Sequence, residues 1–329
     1  MSSRPLSVSG APGTAAPEKR RSSGFALVAK LLVSLILLAA IARSIDLSAV
    51  GTLLLALSPL AAVAAVLSLV GIAVVSALRW WLVMGAIGTP QPLGRVLGLM
   101  FVGSFFTQML PTSVGGDAVR IWQLSRHGVA MDRAFIGVML ERISGLLALV
   151  LMVVGGVFWL GEGLSPAALQ YILLASLPVL LAGLFLLCCL DRLPPSLQAR
   201  PLIGGGLRLL AAMAADTRRV LLAPGLSLLL LLLSAAAQVF SILAFFFLAR
   251  GLGLDLGLPA VLAVVPAIIL ITFLPISFAG WGVREGASIA MLGAVGLNGD
   301  QAVALSVVFG LALILAGLPG CWLWLRNNR

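Results

Sequence analysis

Residues 225 to 249, GLSLLLLLLSAAAQVFSILAFFFLA, run for 25 positions without a charged side chain. One helix needs about 20 apolar residues to cross a hydrocarbon core, so such a run is either a membrane span or a helix buried on every face. The rest of the chain decides between the two. FALVAKLLVSLILLAAIA (25 to 42) is a second apolar run, interrupted by Lys30 alone, 61% of the 329 residues are hydrophobic and 10% are charged. A mean hydropathy of +1.17 lies far above that of soluble domains. In lipid the backbone must satisfy its own hydrogen bonds, and apolar runs of this length do so as helices rather than as barrel strands. The sequence predicts an all-α, polytopic helical membrane protein with residues 25–329 as one transmembrane domain. No stretch is long and polar enough for a separate soluble catalytic domain, so any chemistry is expected in or at the bilayer.

The formal net charge is +10. The arginines stand at the ends of apolar runs, a pattern that speaks for membrane orientation and against nucleic acid. Cys188 and Cys189 are adjacent in one apolar run and Cys321 lies near the end of another; neither a disulfide framework nor a metal site is indicated. No cofactor is expected. Residues 1–24, rich in Ser, Pro, Gly and Ala and bearing Arg4, Lys19, Arg20 and Arg21, predict a disordered cytoplasmic tail. The run that follows is long for a signal peptide and is expected to be retained.

Apolar segments lie at roughly 25–42, 52–78, 94–109, 134–160, 168–190, 222–249, 259–274, 285–297 and 301–325. The tail and the loop 191–219, with Arg192, Arg200, Arg208, Arg218 and Arg219, carry the strongest positive-inside signals and are both expected in the cytoplasm. If every segment between them crossed, the loop would emerge on the outer face. The short segment 94–109 is therefore expected not to cross, because it runs straight into LPTSVGGDAVR (110–120). That stretch reads as the turn of a re-entrant hairpin on the cytoplasmic side. Irregular backbone at membrane depth is tolerated only where it is buried in protein or lines a wet cavity, so a cavity is expected beside it.

LPISFAGWGVR (274–284) repeats the motif at the same spacing: Leu110, Pro111, Ser113, Gly116, Val119 and Arg120 correspond to Leu274, Pro275, Ser277, Gly280, Val283 and Arg284. With 134–160, 168–190 and 222–249 spanning, the second hairpin opens toward the outer face, as residues 250–258 should. The expectation is an inverted repeat with halves roughly 25–190 and 220–329. Its two re-entrant or broken-helix hairpins would meet near the midplane, as in many transporters.

Arg120, after Gly115, Gly116 and Asp117, is expected in the first turn of a helix whose N-terminal N–H groups and dipole suit a phosphate. Arg284 is placed likewise after Gly280. A guanidinium grips phosphate through paired hydrogen bonds and stays charged. The competing reading makes both arginines topological anchors, snorkelling to headgroups or paired with Asp117 and Glu285. Asp117 fits an N-cap as well as a substrate contact. Glu141 and Arg142 interrupt an apolar span, so Glu141 should face the bundle interior and find a cation, either Arg120 or Arg142. Glu285 is placed to balance Arg284 or to take up a proton. Arg79, Trp80 and Trp81 read as the end of a helix in an interfacial belt, as does WLWLRNNR at the C-terminus. His127, the single histidine, has no partner for a metal or nucleophile role.

RWWLVMGAIG, LPTSVGGDAVRIWQLSRHG, VMLERISGLL and LPISFAGWGVREG, in this order from about residue 79 to 286, resemble the family of lysylphosphatidylglycerol synthase transmembrane-domain proteins. In that family's bifunctional enzymes such a domain moves aminoacylated phosphatidylglycerol between leaflets while a soluble domain attaches the amino acid. Other members stand alone, some associated with hopanoid or glycolipid pathways. The resemblance implies translocation without synthase activity, and its polar signatures fall on Gly115, Gly116, Asp117, Arg120, Glu141, Arg142, Gly280, Arg284 and Glu285. The expected function is flipping or binding of an anionic phospholipid or lipid-linked molecule in the bacterial inner membrane, N-terminus cytoplasmic. A membrane-embedded transferase and an accessory subunit of a lipid or glycolipid pathway are the alternatives. A second copy of the chain is a possible partner.

Overall fold

The computed structural model describes residues 21–110, 114–160, 167–189, 204–274 and 276–327. Twelve α-helices account for the regular structure described. They are α1 (Arg21–Ser44), α2 (Leu47–Leu55), α3 (Pro59–Ala86), α4 (Leu93–Met109), α5 (Gly115–Arg126), α6 (Met131–Leu160), α7 (Ala167–Cys189), α8 (Gly204–Leu221), α9 (Pro224–Gly251), α10 (Leu258–Thr272), α11 (Val283–Gly293) and α12 (Gly299–Asn327), with a 3-10 turn at Phe278–Gly280. Five helices are long and apolar enough to cross a membrane: α3, α6, α7, α9 and α12. A sixth crossing results if α1 and α2, bent by 94°, form one span, whereas α4 and α10 are shorter apolar helices. Strongly exposed Leu60, Phe158 and Tyr171 give the bundle the apolar outer surface that lipid requires.

Several expectations need correction. The segment 52–78 is not one run: α2 ends at Leu55 and Pro59 opens α3, because proline fixes a helical φ and lacks the N–H that a first turn leaves unpaired. Arg79, Trp80 and Trp81 lie within α3, which continues to Ala86. The loop 191–219 is helical from Gly204 as α8. Its buried face of Met213, Ala214, Asp216, Thr217 and Val220 has helical spacing, and Arg133 pairs with Asp216 at 2.6 Å. Arg192, Arg200, Pro111, Ser113, Pro275 and residues 1–20 of the expected tail lie outside the described residues, while Arg21–Gly24 already belong to α1.

The order long helix, short helix, break, short helix, long helix occurs twice, as α3 to α6 and as α9 to α12. Helices α3 and α9 pack antiparallel: Phe240 lies against Gly71, Ala61 against Gly251, and Arg79 reaches Ser234. The axis relating the two quartets is thus perpendicular to the helices. Packing obeys the same exchange. Helix α4 packs on α12 as α10 packs on α6, α5 on α6 as α11 on α12, and α6 on α9 as α12 on α3. The first hairpin, α4–α5, follows the C-terminus of α3, and the second, α10–α11, follows the C-terminus of α9. Their outer ends therefore lie at opposite ends of the bundle.

Two glycines hold this cross-packing. A Cβ on Gly156 of α6 would strike the Ala263 backbone of α10, and one on Gly320 of α12 would strike the Phe101 backbone of α4. These glycines are separated by the same offset as Arg120 and Arg284. Small residues let membrane helices approach to backbone contact. Gly156→Ala and Gly320→Ala are each expected to destabilise by about 1–3 kcal/mol through overpacking, read as a lowered melting temperature of detergent-solubilised protein. Gly155→Ala, with nothing within 4 Å of its new methyl, is expected to be neutral or slightly stabilising.

Candidate functional site

A cavity of about 370 Å³ is walled by residues from all eight helices of the two quartets. Arg79 comes from α3, Arg120 from α5, Glu141 and Arg142 from α6, Gln238 from α9 and Arg284 from α11. Among the expected site residues, Arg120, Glu141, Arg142, Gly280 and Arg284 form the wall, and Asp117 and Glu285 stand behind it as ion-pair partners. Gly115 and Gly116 play a packing role. Leu110 and the Gly103 carbonyl with Thr107 occupy the space where their Cβ atoms would go, so α5 lies close on α4.

Helix α5 starts at Gly115 with Val114 as its N-cap residue, so the N-cap reading of Asp117 is corrected. Its carboxylate instead accepts from Arg120 Nη2, and its second oxygen lies 2.7 Å from Arg142 Nε. This position is one turn before Arg120, where i and i+3 side chains meet. Arg120, expected in the first turn, stands in the second and is 3% exposed. It approaches Glu141 Oε2 at 3.5 Å and the Met100 sulfur at 3.3 Å, and its guanidinium stacks 4.9 Å from the Trp80 ring centre. Glu141 thus has Arg120 as a partner, as one expectation held, but its closest partner is Arg79. Arg142 turns to Asp117.

The second hairpin builds its arginine site differently. Ala279, Gly280 and Gly282 adopt positive φ of 48°, 82° and 87°, the left-handed region open chiefly to glycine. This sharp path leads into α11, whose N-terminus is closed by Glu285: its Oε2 accepts from Gly282 N–H at 2.6 Å, as in a capping box. The other oxygen, Oε1, accepts from Arg284 Nη2 at 3.0 Å and from the Ser306 hydroxyl at 3.0 Å. Arg284 Nε donates to Ser306 at 3.2 Å, and the guanidinium lies 4.6 Å from the Trp281 ring centre. The expected pairing of Glu285 with Arg284 is present, fully buried.

Sequence reasoning missed Arg79 and Trp80, read as interfacial. Arg79 is 6% exposed, donates to Ser234 at 2.9 Å and pairs with Glu141; Trp80 is entirely buried. It also missed the glycines on which the arginines rest. Arg79 lies across Gly145, Arg120 across Gly103 and Arg284 across Gly310. A signal existed: ERISGLLALV (141–150) and SVVFGLALIL (306–315) align Glu141 with Ser306 and Gly145 with Gly310. Trp81, by contrast, is half exposed as expected and donates to the Gln91 carbonyl. His127 ends α5, its Nδ1 2.7 Å from the Gln123 carbonyl. Among the described residues no three His, Cys, Asp or Glu side chains come together as a metal ion would need.

Two buried arginines on broken-helix arms, each stacked on a tryptophan and both facing one cavity, place the polar chemistry of this chain inside its membrane bundle. No curated protein matches the chain. The family model for the lysylphosphatidylglycerol synthase TM region matches residues 27–320. The chain belongs to that family, and is a multi-pass membrane protein linked to lipid metabolism or flipping.

Proposed function

We propose that the protein moves an anionic phospholipid, or another lipid-linked anion, between the leaflets of the bacterial inner membrane. The headgroup crosses through the cavity while the acyl chains stay in lipid. One observation carries this reading: Arg120 and Arg284, borne by hairpins whose outer ends lie at opposite ends of the bundle, line the same cavity. An anchor has no need of that convergence. Desolvating a phosphate is costly unless charged donors replace its water, and guanidiniums do so with paired, charge-assisted hydrogen bonds. The cavity of about 370 Å³ lies at the low end of small-ligand pockets, about 300–1,000 Å³. It has room for a headgroup and not for two acyl chains.

With α3, α6, α7, α9 and α12 as crossings and α1–α2 as one bent crossing, the first hairpin opens to the cytoplasm, the second to the outer face, and the N-terminus is cytoplasmic. The arginine-rich end of the bundle, with Arg126, Arg133, Arg208, Arg218 and Arg219, then faces the cytoplasm as the positive-inside rule requires. In a cysteine-free background, cysteines at Arg126 and Arg208 should react with an impermeant maleimide from the cytoplasmic side, and one at Asp255 from the other side. Opposite labelling of Arg126 and Arg208 excludes this topology.

Arg120→Gln and Arg284→Gln are each expected to slow lipid movement in reconstituted vesicles by about tenfold or more, the worth of a hydrogen bond to a charged group. Lysine should restore only part, because a point charge lacks the planar pair of donors. Removing one partner of a buried ion pair costs about 3–5 kcal/mol, so Arg284→Gln, which strands Glu285, is also tested together with Glu285→Gln; in Arg120→Gln, Asp117 and Glu141 keep Arg142 and Arg79 as partners. A leaflet-resolved fluorescence assay, normalised to folded protein, reads the result. Full transport by both glutamine variants, or complete rescue by lysine, leaves the arginines as anchors.

A further inference from the structure

The two arginine sites differ in charge balance. Arg284 and Glu285 form a closed pair at 3.0 Å. On the side of the first hairpin, Arg79, Arg120 and Arg142 share Asp117 and Glu141, which among the described residues leaves one positive charge in excess. Among the described residues no other charged side chain lines the cavity. Glu141 is the single carboxylate of the wall among the described residues, and Arg79 and Arg120 already engage it. The rest of the polar lining is uncharged: Ser76, Thr107, Gln108, Gln238, Ser241 and Thr272. The Gln238 Oε1 atom has no hydrogen-bond partner, so it is an acceptor without a donor.

Resting on the transport reading above, we infer that the cavity selects a headgroup with one net negative charge, a phosphodiester whose remainder is uncharged, over zwitterionic, dianionic and aminoacylated headgroups. Net charge in a low-dielectric interior is penalised, and a monoanion brings this cluster to neutrality. A phosphomonoester, with about −1.5 to −2 charges, overshoots. A zwitterion leaves the excess uncompensated and brings an ammonium that finds no spare carboxylate. An aminoacylated headgroup adds further positive charge to a positive site. Hydroxyl groups on an uncharged remainder suit the amide and hydroxyl lining, Gln238 Oε1 first among them.

The test uses the full-length chain in phosphatidylcholine vesicles, each preparation carrying one acyl-labelled probe: phosphatidylglycerol, phosphatidylethanolamine, phosphatidic acid or lysylphosphatidylglycerol. Phosphatidylglycerol is expected to move faster than the other three by about tenfold or more, a discrimination of ~1.4 kcal/mol or above. Glu141→Gln raises the excess to two charges and should shift the phosphatidic acid to phosphatidylglycerol rate ratio upward by about tenfold. Arg142→Gln, at a partly exposed side chain, removes the excess and should shift preference toward phosphatidylethanolamine; it serves as the second variant should Glu141→Gln fail to fold. Equal rates for all four probes, or ratios unchanged in the folded variants, overturn the charge matching while transport stands. Movement of no probe by the unaltered protein overturns both. Soluble glycerophosphoglycerol enclosed in the vesicles should stay there, and its release overturns a lipid as the source of the phosphodiester.

Discussion

A guanidinium within a membrane bundle stays charged whatever surrounds it, and the inner architecture of this protein follows from that. Arg79, Arg120 and Arg142 cannot shed their charge, so α3, α5 and α6 must bring Asp117 and Glu141 to them. The resulting chain of ion pairs ties three helices at one level. Each arginine also needs a path past a neighbouring backbone, which Gly145 provides for Arg79 and Gly103 for Arg120. Loss of either carboxylate leaves arginines without a counter-ion in a low-dielectric interior, where the penalty is far larger than at a surface.

The two quartets solve this problem with the same frame and different chemistry. Where α6 presents Glu141 toward Arg120, α12 presents Ser306 toward Arg284. The carboxylate has moved to Glu285, the neighbour of the arginine it serves, where it also closes the N-terminus of α11 through Gly282. The first site is an extended network with surplus charge, and the second is a compact neutral pair. Two-fold packing thus coexists with electrostatic asymmetry. Helix packing depends on side-chain size and backbone approach, which Gly156 and Gly320 share, whereas charge balance depends on single residues that can differ between halves.

How far the sequence was legible follows the same division. Apolar length located α6, α7, α9 and α12 to within a few residues, since hydrocarbon thickness admits few alternatives, whereas it misplaced both ends of α3. The paired motifs pointed to Arg120 and Arg284 because proline, glycine and arginine are rare company inside apolar runs. Glu141 announced that it needed a cation, but not which: Arg79 lies 62 residues away on another helix, and an Arg-Trp-Trp run is also what an interfacial belt looks like. The boundary at Pro59 was legible as chemistry and overlooked beneath the continuous hydropathy on both sides. The glycine seats at Gly103, Gly145 and Gly310 were hidden because 36 glycines are present and nothing local marks the few that an arginine crosses. Helix α8 was concealed by its arginines, which read as a loop although its buried residues keep helical spacing.

On the proposed transport reading, the interlocking of the quartets bears on how a headgroup would reach the cavity from either end. Helix α4 meets α12, and α6 meets α10, at backbone contact through Gly320 and Gly156. Two halves joined in this way cannot rock as separate rigid bodies without breaking both contacts, and close-packed interfaces shift between discrete arrangements rather than deform smoothly. Helices α5 and α11 are differently placed. Helix α5 packs chiefly on α4 and α6, and α11 on α10, α12 and α1, so neither is a main part of the seam between quartets. These two short arms carry Arg120 and Arg284. The second of them is additionally held by α1, where Ser34 accepts from Phe278 N–H at 2.7 Å and Leu37 packs against Gly282. The rigid seam and the charged wall of the cavity therefore belong to different helices, and displacement of an arm can expose its arginine while the seam stays closed.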